Sequence, residues 1–376
     1  MYFAGGITFA GHISAGVGLE HTLASRQSTI DHLDGYLEAS LPESVRARLT
    51  ANQASLGGMV RAVDVSRFAA LAAATRKAGT WNVPTAFLWE SFFSPEPPEE
   101  MAKRAEMKYA APQWLTAWSN QKRNRIAQDQ QAGVSAQESA TFLSLRRTLL
   151  KTLSDSGAKL LMGTDSPQMF NVPGFSLHRE IAVMQAAGLT PWQVLESGTR
   201  NVAEYAAKDL KLDGRFGTLA VGNRADLLLL DANPLADARN VANRAGVMVR
   251  GRWFPASEID RMLAEMAARH SAAGAQPSGS SPDERDAVLA VVQRLWDGMR
   301  TRDTALVRSV FDSSAALTRV ATRNGEARVQ VTPVSAFIEA LGRANEAWSS
   351  PPSDRGAHAS VTVPNLSAHA WNVSAS

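Results

Sequence analysis

The 376 residues contain no cysteine, which excludes disulfides, thiol nucleophiles and thiolate ligands; any metal must be held by His, Asp, Glu or a modified Lys. An excess of charge is also missing, since 39 Lys and Arg against 36 Asp and Glu leave a net charge of +3, too little to argue for a nucleic-acid partner. The densest basic cluster, Gln121-Lys122-Arg123-Asn124-Arg125, is one short stretch expected on a solvated helix face. No apolar run approaches the roughly 20 residues that span a bilayer, and the N-terminus lacks a charged region followed by an apolar one. The expectation is a soluble chain with neither nucleic-acid nor membrane partner, its compartment left open. Histidine is scarce too, with 7 in all. His12, His21 and His32 nevertheless crowd together in "GHISAGVGLEHTLASRQSTIDHLDGYL".

What is present is an ordinary globular balance, 45% hydrophobic and 20% charged, in a chain long enough for two or three domains. Ile7 to His12 is a short β-rich apolar run ending in a histidine, and Ser28 to His32 is another. Between them Val17, Leu19, Leu23 and Ala24 follow a helical period, so the segment reads as strand, helix, strand. Residues at the C-terminal ends of successive parallel strands share one site. His12 and His32 become neighbours on this reading, while His21, in mid-helix, does not join them. Far downstream, Gly157 to Pro167 is an apolar strand that ends in Asp165. A strand-end aspartate is more often a turn residue, yet two imidazoles and a carboxylate on one rim suit zinc or a similar divalent ion.

Helix and strand signals alternate to about residue 205, which argues for an α/β fold. Thr190-Pro191-Trp192-Gln193 has the capping-box form and opens a helix expected to run through Val194, Leu195, Val202 and Ala203. Residues 214 to 256 read as a small β module, with strands at Ala225 to Leu230 and Val247 to Val249 between Gly and Asn-Pro turns. A helix from Ala256 to Arg269 and a small-residue linker, "SAAGAQPSGSS", follow. Ser281-Pro282-Asp283-Glu284 then opens a new helix carrying Val288, Val292, Leu295 and Met299 on one stripe. Leu306, Val307, Val310 and Phe311 mark a second, short helix. Strands at Ala327 to Val331 and Ala359 to Val363 flank a further helix at Val334 to Leu341. His270, His358 and His369 are isolated and expected on the surface.

Four stretches, Gly11 to Tyr36, "LLMGTDSP", "LTPWQVLESGTRNVAEYA" and "FGTLAVGNRADLLLLDANPL", together resemble the C-terminal half of an amidohydrolase-superfamily protein of the imidazolonepropionase-like group, over about residues 5 to 255. The resemblance implies a metal-dependent hydrolase on a (β/α)8 TIM-type barrel, with a small β-sandwich made by flanking segments. It makes His12 the strand-five ligand, His32 the strand-six ligand and Asp165 the strand-eight acid that both binds metal and shuttles the proton. Val83-Pro84-Thr85 falls on strand seven, and Asp226 is structural. The His-x-His pair of strand one and the strand-four lysine or acid of that family have no counterpart here, so the expectation is a partial chain and an incomplete barrel. Residues after the linker resemble the start of a SnoaL-like (nuclear transport factor 2-like) α+β cone. The implied domains are residues 1–212, partial barrel with strands five to eight; 213–256, β-sandwich module; 257–270, helix; 271–281, linker; and 282–376, partial SnoaL-like domain.

The implied reaction is hydrolysis of a non-peptide or cyclic amide C–N bond by water activated on Zn2+, with one or two ions in the full-length protein. Asp165 would act as general base and then general acid. His178, in "GFSLHREI", is either a substrate contact at the mouth of the site or an ordinary position of the helix starting there; Trp89 and Phe92 line the pocket or belong to the core. Two other readings stay open. One is a non-catalytic small-ligand binding or dimerisation protein working through the C-terminal domain. The other is a mononuclear iron or manganese protein using His12, His32 and Asp165 as a facial triad. The expected partner is a small-molecule substrate, with a homo-oligomer left open.

Overall fold

Three short, apolar strands organise the N-terminal part of the chain: β1 (Thr29–Asp31), β2 (Trp81–Val83) and β3 (Lys159–Leu160). They lie side by side in that order, all parallel, with Thr29 opposite Trp81 and Trp81 opposite Lys159. Ile30, Trp81 and Leu160 are buried, as strands covered on both faces must be. The computed structural model describes residues 8–13, 16–50, 56–275, 282–312, 316–323 and 326–343. The chain divides into two units, Met1–Pro277 and Ser278–Ser376, and the division falls inside the expected linker.

Four parallel strands were expected in the first unit; among the described residues there are three, and the sheet does not close into a barrel. The run ending at His12 lies along β1 without forming a ladder. The carbonyls of Phe9 and Gly11 accept from the N–H groups of Ser28 and Asp31, so two residues on one side span three on the other. The Gly11 N–H turns instead to Thr29 Oγ1, and Gln27 Nε2 donates to the Gly11 carbonyl.

The helix Ala136–Asp155 shows why the sheet is covered. Ser135 and Glu138 close a full capping box at its start, and Phe142, Leu143, Leu149, Leu150 and Leu153 form one buried stripe. Each such side chain contributes about 1.5–3 kcal/mol on burial. The helix expected from Thr190 to Ala203 has the predicted capping box but splits into Pro191–Ser197 and Arg200–Lys208. The break has a tertiary cause: Ser197 O accepts from Met162 N at 3.0 Å, and a Cβ on Gly198 would lie 3.3 Å from Met162 Sδ.

The β module is one antiparallel sheet, β4 (Leu227–Leu230), β5 (Arg244–Val249) and β6 (Arg252–Pro255), in that order. Among the described residues no second sheet stacks on it, so the expected sandwich is represented by a single layer. β5 and β6 are joined through Arg250 and Gly251, both with positive φ (49° and 81°), the pattern of a tight hairpin turn. Asp226 accepts from Arg250 N at 2.7 Å and pairs with Arg224, a role in holding the turn. The next helix, Ala256–Ala275, runs past Arg269 into the expected linker, where Ala272, Ala273 and Ala275 have the best intrinsic helix propensity. His270 on this helix is half-buried, not exposed.

The basic stretch 121–125 also departs from expectation. It lies on the helix Pro112–Gln131, yet Lys122 is 0% exposed. Its ammonium donates to the carbonyls of Ser91, Phe92 and Ser94 at 2.8–3.1 Å, while Arg123 pairs with Glu99 and Arg125 with Asp129.

In the second unit the two expected helices, Pro282–Thr301 and Thr304–Arg308, come first; the strand expected at Ala327 to Val331 is β8 (Glu326–Pro333), paired in a hairpin with β7 (Ala316–Arg323), a strand not among those expected, and the helix Val334–Arg343 follows. Val307, Val334 and Ile338 are its buried centre, with Leu295, Met299 and Phe311 packed around them. The strand expected at Ala359 to Val363, His358 and His369 lie outside the described residues. Among the described residues no helix is long and apolar enough to cross a membrane.

Candidate functional site

At the C-terminal end of the parallel sheet, each strand hands the chain to a residue with left-handed backbone. His32 (φ 58°) follows β1, Thr85 (φ 44°) follows β2, and Asp165 (φ 52°) follows β3. None is glycine, and such a conformation costs about 1–3 kcal/mol per residue unless its surroundings enforce it. Two bonds do so at His32: its N–H donates to Val83 O at 2.8 Å, and the Arg146 guanidinium donates to its carbonyl. The turns aim the three side chains over the sheet end. His32 Nε2 stands 3.7 Å from Asp165 Oδ2, and His32 Nδ1 is 2.6 Å from Thr85 Oγ1. The His12 ring lies over that of His32, centroids 4.6 Å apart and tilted by 30°, with His12 Nδ1 2.8 Å from Asp34 Oδ2.

The group is graded in exposure. The His32 side chain is 8% exposed, whereas those of Asp165 and His12 are 42% and 71% exposed. His32 therefore forms the floor, and the other two face arriving solutes. Burial, then the neighbouring His12 ring, holds the His32 imidazole below its ordinary pKa, against the opposite pull of Asp34, Asp165 and Asp31. A neutral ring makes the approach of Asp165 something other than an ion pair. Asp165 is held by Gln168, whose Nε2 donates to Oδ2 at 2.5 Å.

Beneath His32 lies an aromatic and cationic floor. Trp89 meets the His32 ring edge-on at 6.3 Å, and the Arg146 guanidinium sits 4.1 Å from the Trp89 ring centre. The cavity beside Trp89 and Arg146 measures about 10 Å³, room for one water at most. Phe92 packs into the core, away from the opening.

His32 is thus brought beside both His12 and Asp165, although the run before His12 is not a strand of the sheet. His21 is exposed on the helix Gly18–Ala24. His178 is not brought to the group. It stands on the helix Phe175–Ala186 with Nδ1 buried and without a hydrogen-bond partner, its pKa lowered by burial and by Arg244 of β5. Sequence reasoning missed Asp34, the Thr85 hydroxyl, Arg146 and Glu180. Arg146 had a signal, since it occupies a slot in the apolar stripe of its helix. Glu180 had none. It is fully buried, and its carboxylate accepts from Ala86 N at 2.8 Å and Phe87 N at 2.7 Å.

The donor chemistry fits a divalent ion: each imidazole has Nδ1 engaged by a neighbour and Nε2 left over, beside a carboxylate. As the side chains stand, no three His, Asp or Glu groups converge on one point among the described residues.

Residues 107–254 match the model of the amidohydrolase family, a stretch that includes Asp165 but neither His12 nor His32. The imidazolonepropionase of Rubrobacter xylanophilus is 35% identical over 126 residues, 32% of this chain and 28% of that protein. A solved bottromycin amidohydrolase superposes with a TM-score of 0.51 at 24% identity, over 71% of this chain and 54% of the other. This likeness is one of fold. Residues 107–254 are thus similar to the amidohydrolase family, in a mixed α/β structure, and the chain spans less than a third of the length of the curated relative it matches.

Proposed function

We propose that this chain supplies the hydrolytic half-site of an enzyme that cleaves an amide C–N bond, a non-peptide or cyclic amide, by metal-assisted attack of water. The observation that carries the proposal is the placement of His32 beside both His12 and Asp165 at the C-terminal end of the parallel sheet. The family match over residues 107–254 and the likeness to an imidazolonepropionase support it. His12, His32 and Asp165 would hold the ion, Zn2+ by its preference for imidazole and carboxylate. When bound it lowers the pKa of water from 15.7 towards about 7 and polarises the scissile carbonyl.

The chain's own residues do the rest. Asp165, half-exposed and beside the His32 ring, accepts the proton of the attacking water and delivers it to the leaving nitrogen. Gln168 keeps its carboxylate turned to the site. His32, backed by Trp89, closes the floor to bulk water. The substrate is a small molecule, with no nucleic-acid or membrane partner. The order of helices and hairpin among the described residues of 282–343 supports reading this part as a SnoaL-like α+β unit.

Zn2+ uptake by the purified chain, followed by a panel of lactams, imidazolones and N-acyl amino acids, tests the reading. Asp165→Asn is expected to lower turnover at least 100-fold, within the usual range for losing a general acid–base, while much of the metal remains. A variant with near-normal rate, or a chain that takes up no metal, overturns it.

A further inference from the structure

The Thr85 hydroxyl has a single proton and two polar neighbours. It donates to Pro84 O at 2.8 Å, and His32 Nδ1 lies 2.6 Å from the same oxygen. A hydroxyl that gives its proton to a carbonyl can only accept from an imidazole nitrogen. With the hydroxyl proton on that carbonyl, His32 Nδ1 would carry the hydrogen and the lone pair would fall on Nε2, the atom turned towards Asp165.

The hydroxyl is not taken up by its own helix. Thr85 is the N-cap of the helix Ala86–Phe93, yet its side chain makes no capping bond, although a threonine there ordinarily accepts from the first turn. Glu180 takes over that work, accepting from both Ala86 N and Phe87 N. Thr85 also holds φ at 44°, a marked outlier for a β-branched residue. Both Thr85 and His32 are buried, so water does not compete for their bond.

We propose that Thr85 is a positioning residue that locks His32 in the Nδ1–H tautomer and so presents Nε2 as the ligand atom of the site. The identity of the ion rests on the hydrolase reading; the tautomer does not.

The test is the long-range proton–nitrogen NMR spectrum of the full chain with 15N-labelled histidine, without metal, at about pH 8, where imidazoles of ordinary pKa are neutral. His32 is assigned by the signals lost in His32→Gln. The wild type and Thr85→Ser are expected to show His32 with a protonated Nδ1 and a pyridine-type Nε2, and Thr85→Val to lose the predominance of that form. A wild-type His32 protonated on Nε2, or a Thr85→Val spectrum unchanged from wild type, overturns the proposal. Should Thr85→Val not fold, the wild-type and serine spectra still decide. In a second arm, Zn2+ competition with a chromophoric chelator is expected to show affinity about 10–100-fold weaker in Thr85→Val and recovered in Thr85→Ser. A wild type that takes up no Zn2+ counts against the hydrolase reading alone, because the tautomer is read without metal.

Discussion

Arg146 stands among leucines and phenylalanines on the stripe that its helix turns to the core, and it ties that core to the site. It donates to the His32 carbonyl and lies over Trp89, while burial pushes its guanidinium down to about 10. Arg146→Met keeps the apolar stem but leaves the carbonyl unpaired and the Trp89 face bare, at an expected cost of about 2–4 kcal/mol; Arg146→Lys recovers only part, lacking the planar fork. Urea denaturation measures both, and a methionine variant as stable as wild type refutes the role. Glu180 offers a pH signature. Burial pushes its carboxyl up to about 7, against the pull of two backbone N–H groups and Arg146. Its folded pKa lies above the unfolded value, so between about 4.5 and 7 the folded chain holds the extra proton and stability falls as pH rises. The loss from this group is on the order of 3 kcal/mol across that window. Glu180→Gln is expected to remove that slope while lowering stability at the acid end, its amide facing a backbone donor. Melting curves from pH 4.5 to 7.5 with the same slope in both proteins would exclude it.

At the level of elements, the helix Ala86–Phe93 is fastened at both ends by side chains from far away in sequence. Glu180 meets its first N–H groups, and Lys122 meets its last carbonyls. Each complements the charge of the helix end it touches. The helix carries Trp89 under His32, so its seating sets the floor of the site. Lys122→Met leaves three carbonyls without their donor and is expected to destabilise the first unit by about 2–4 kcal/mol, read by thermal denaturation. A loss below about 0.5 kcal/mol, the level of a surface change, would return Lys122 to the solvated role that its charged neighbours suggested.

For the whole molecule, the two units give a separable readout. All three donors of the proposed site lie in Met1–Pro277. Zn2+ at about 100 times its dissociation constant adds about 2.7 kcal/mol to whatever folds around it. Calorimetry is expected to show the transition of the first unit rising in temperature while that of Ser278–Ser376 stays in place. Equal shifts in both would mean that the metal site does not belong to the first unit alone.

Much of this was legible before any coordinate. Three residues ending apolar runs, His12, His32 and Asp165, marked a shared rim because strand ends in a parallel sheet face the same way. The capping box at Thr190 needs only local chemistry, and the two helices that open the second unit followed from hydrophobic period. The failures share one cause. Whether residues 8–12 join a ladder, whether a helix breaks at Gly198, whether Lys122 is wet or buried and whether the Thr85 hydroxyl caps its helix or serves His32 each depend on a partner 17 or more positions away. Local sequence determined which side chains could do chemistry and roughly where the strands and helices fall, because propensity and periodicity act over a few residues. Only the tertiary structure decided which donors are already taken, because a hydrogen bond is allotted by proximity in space.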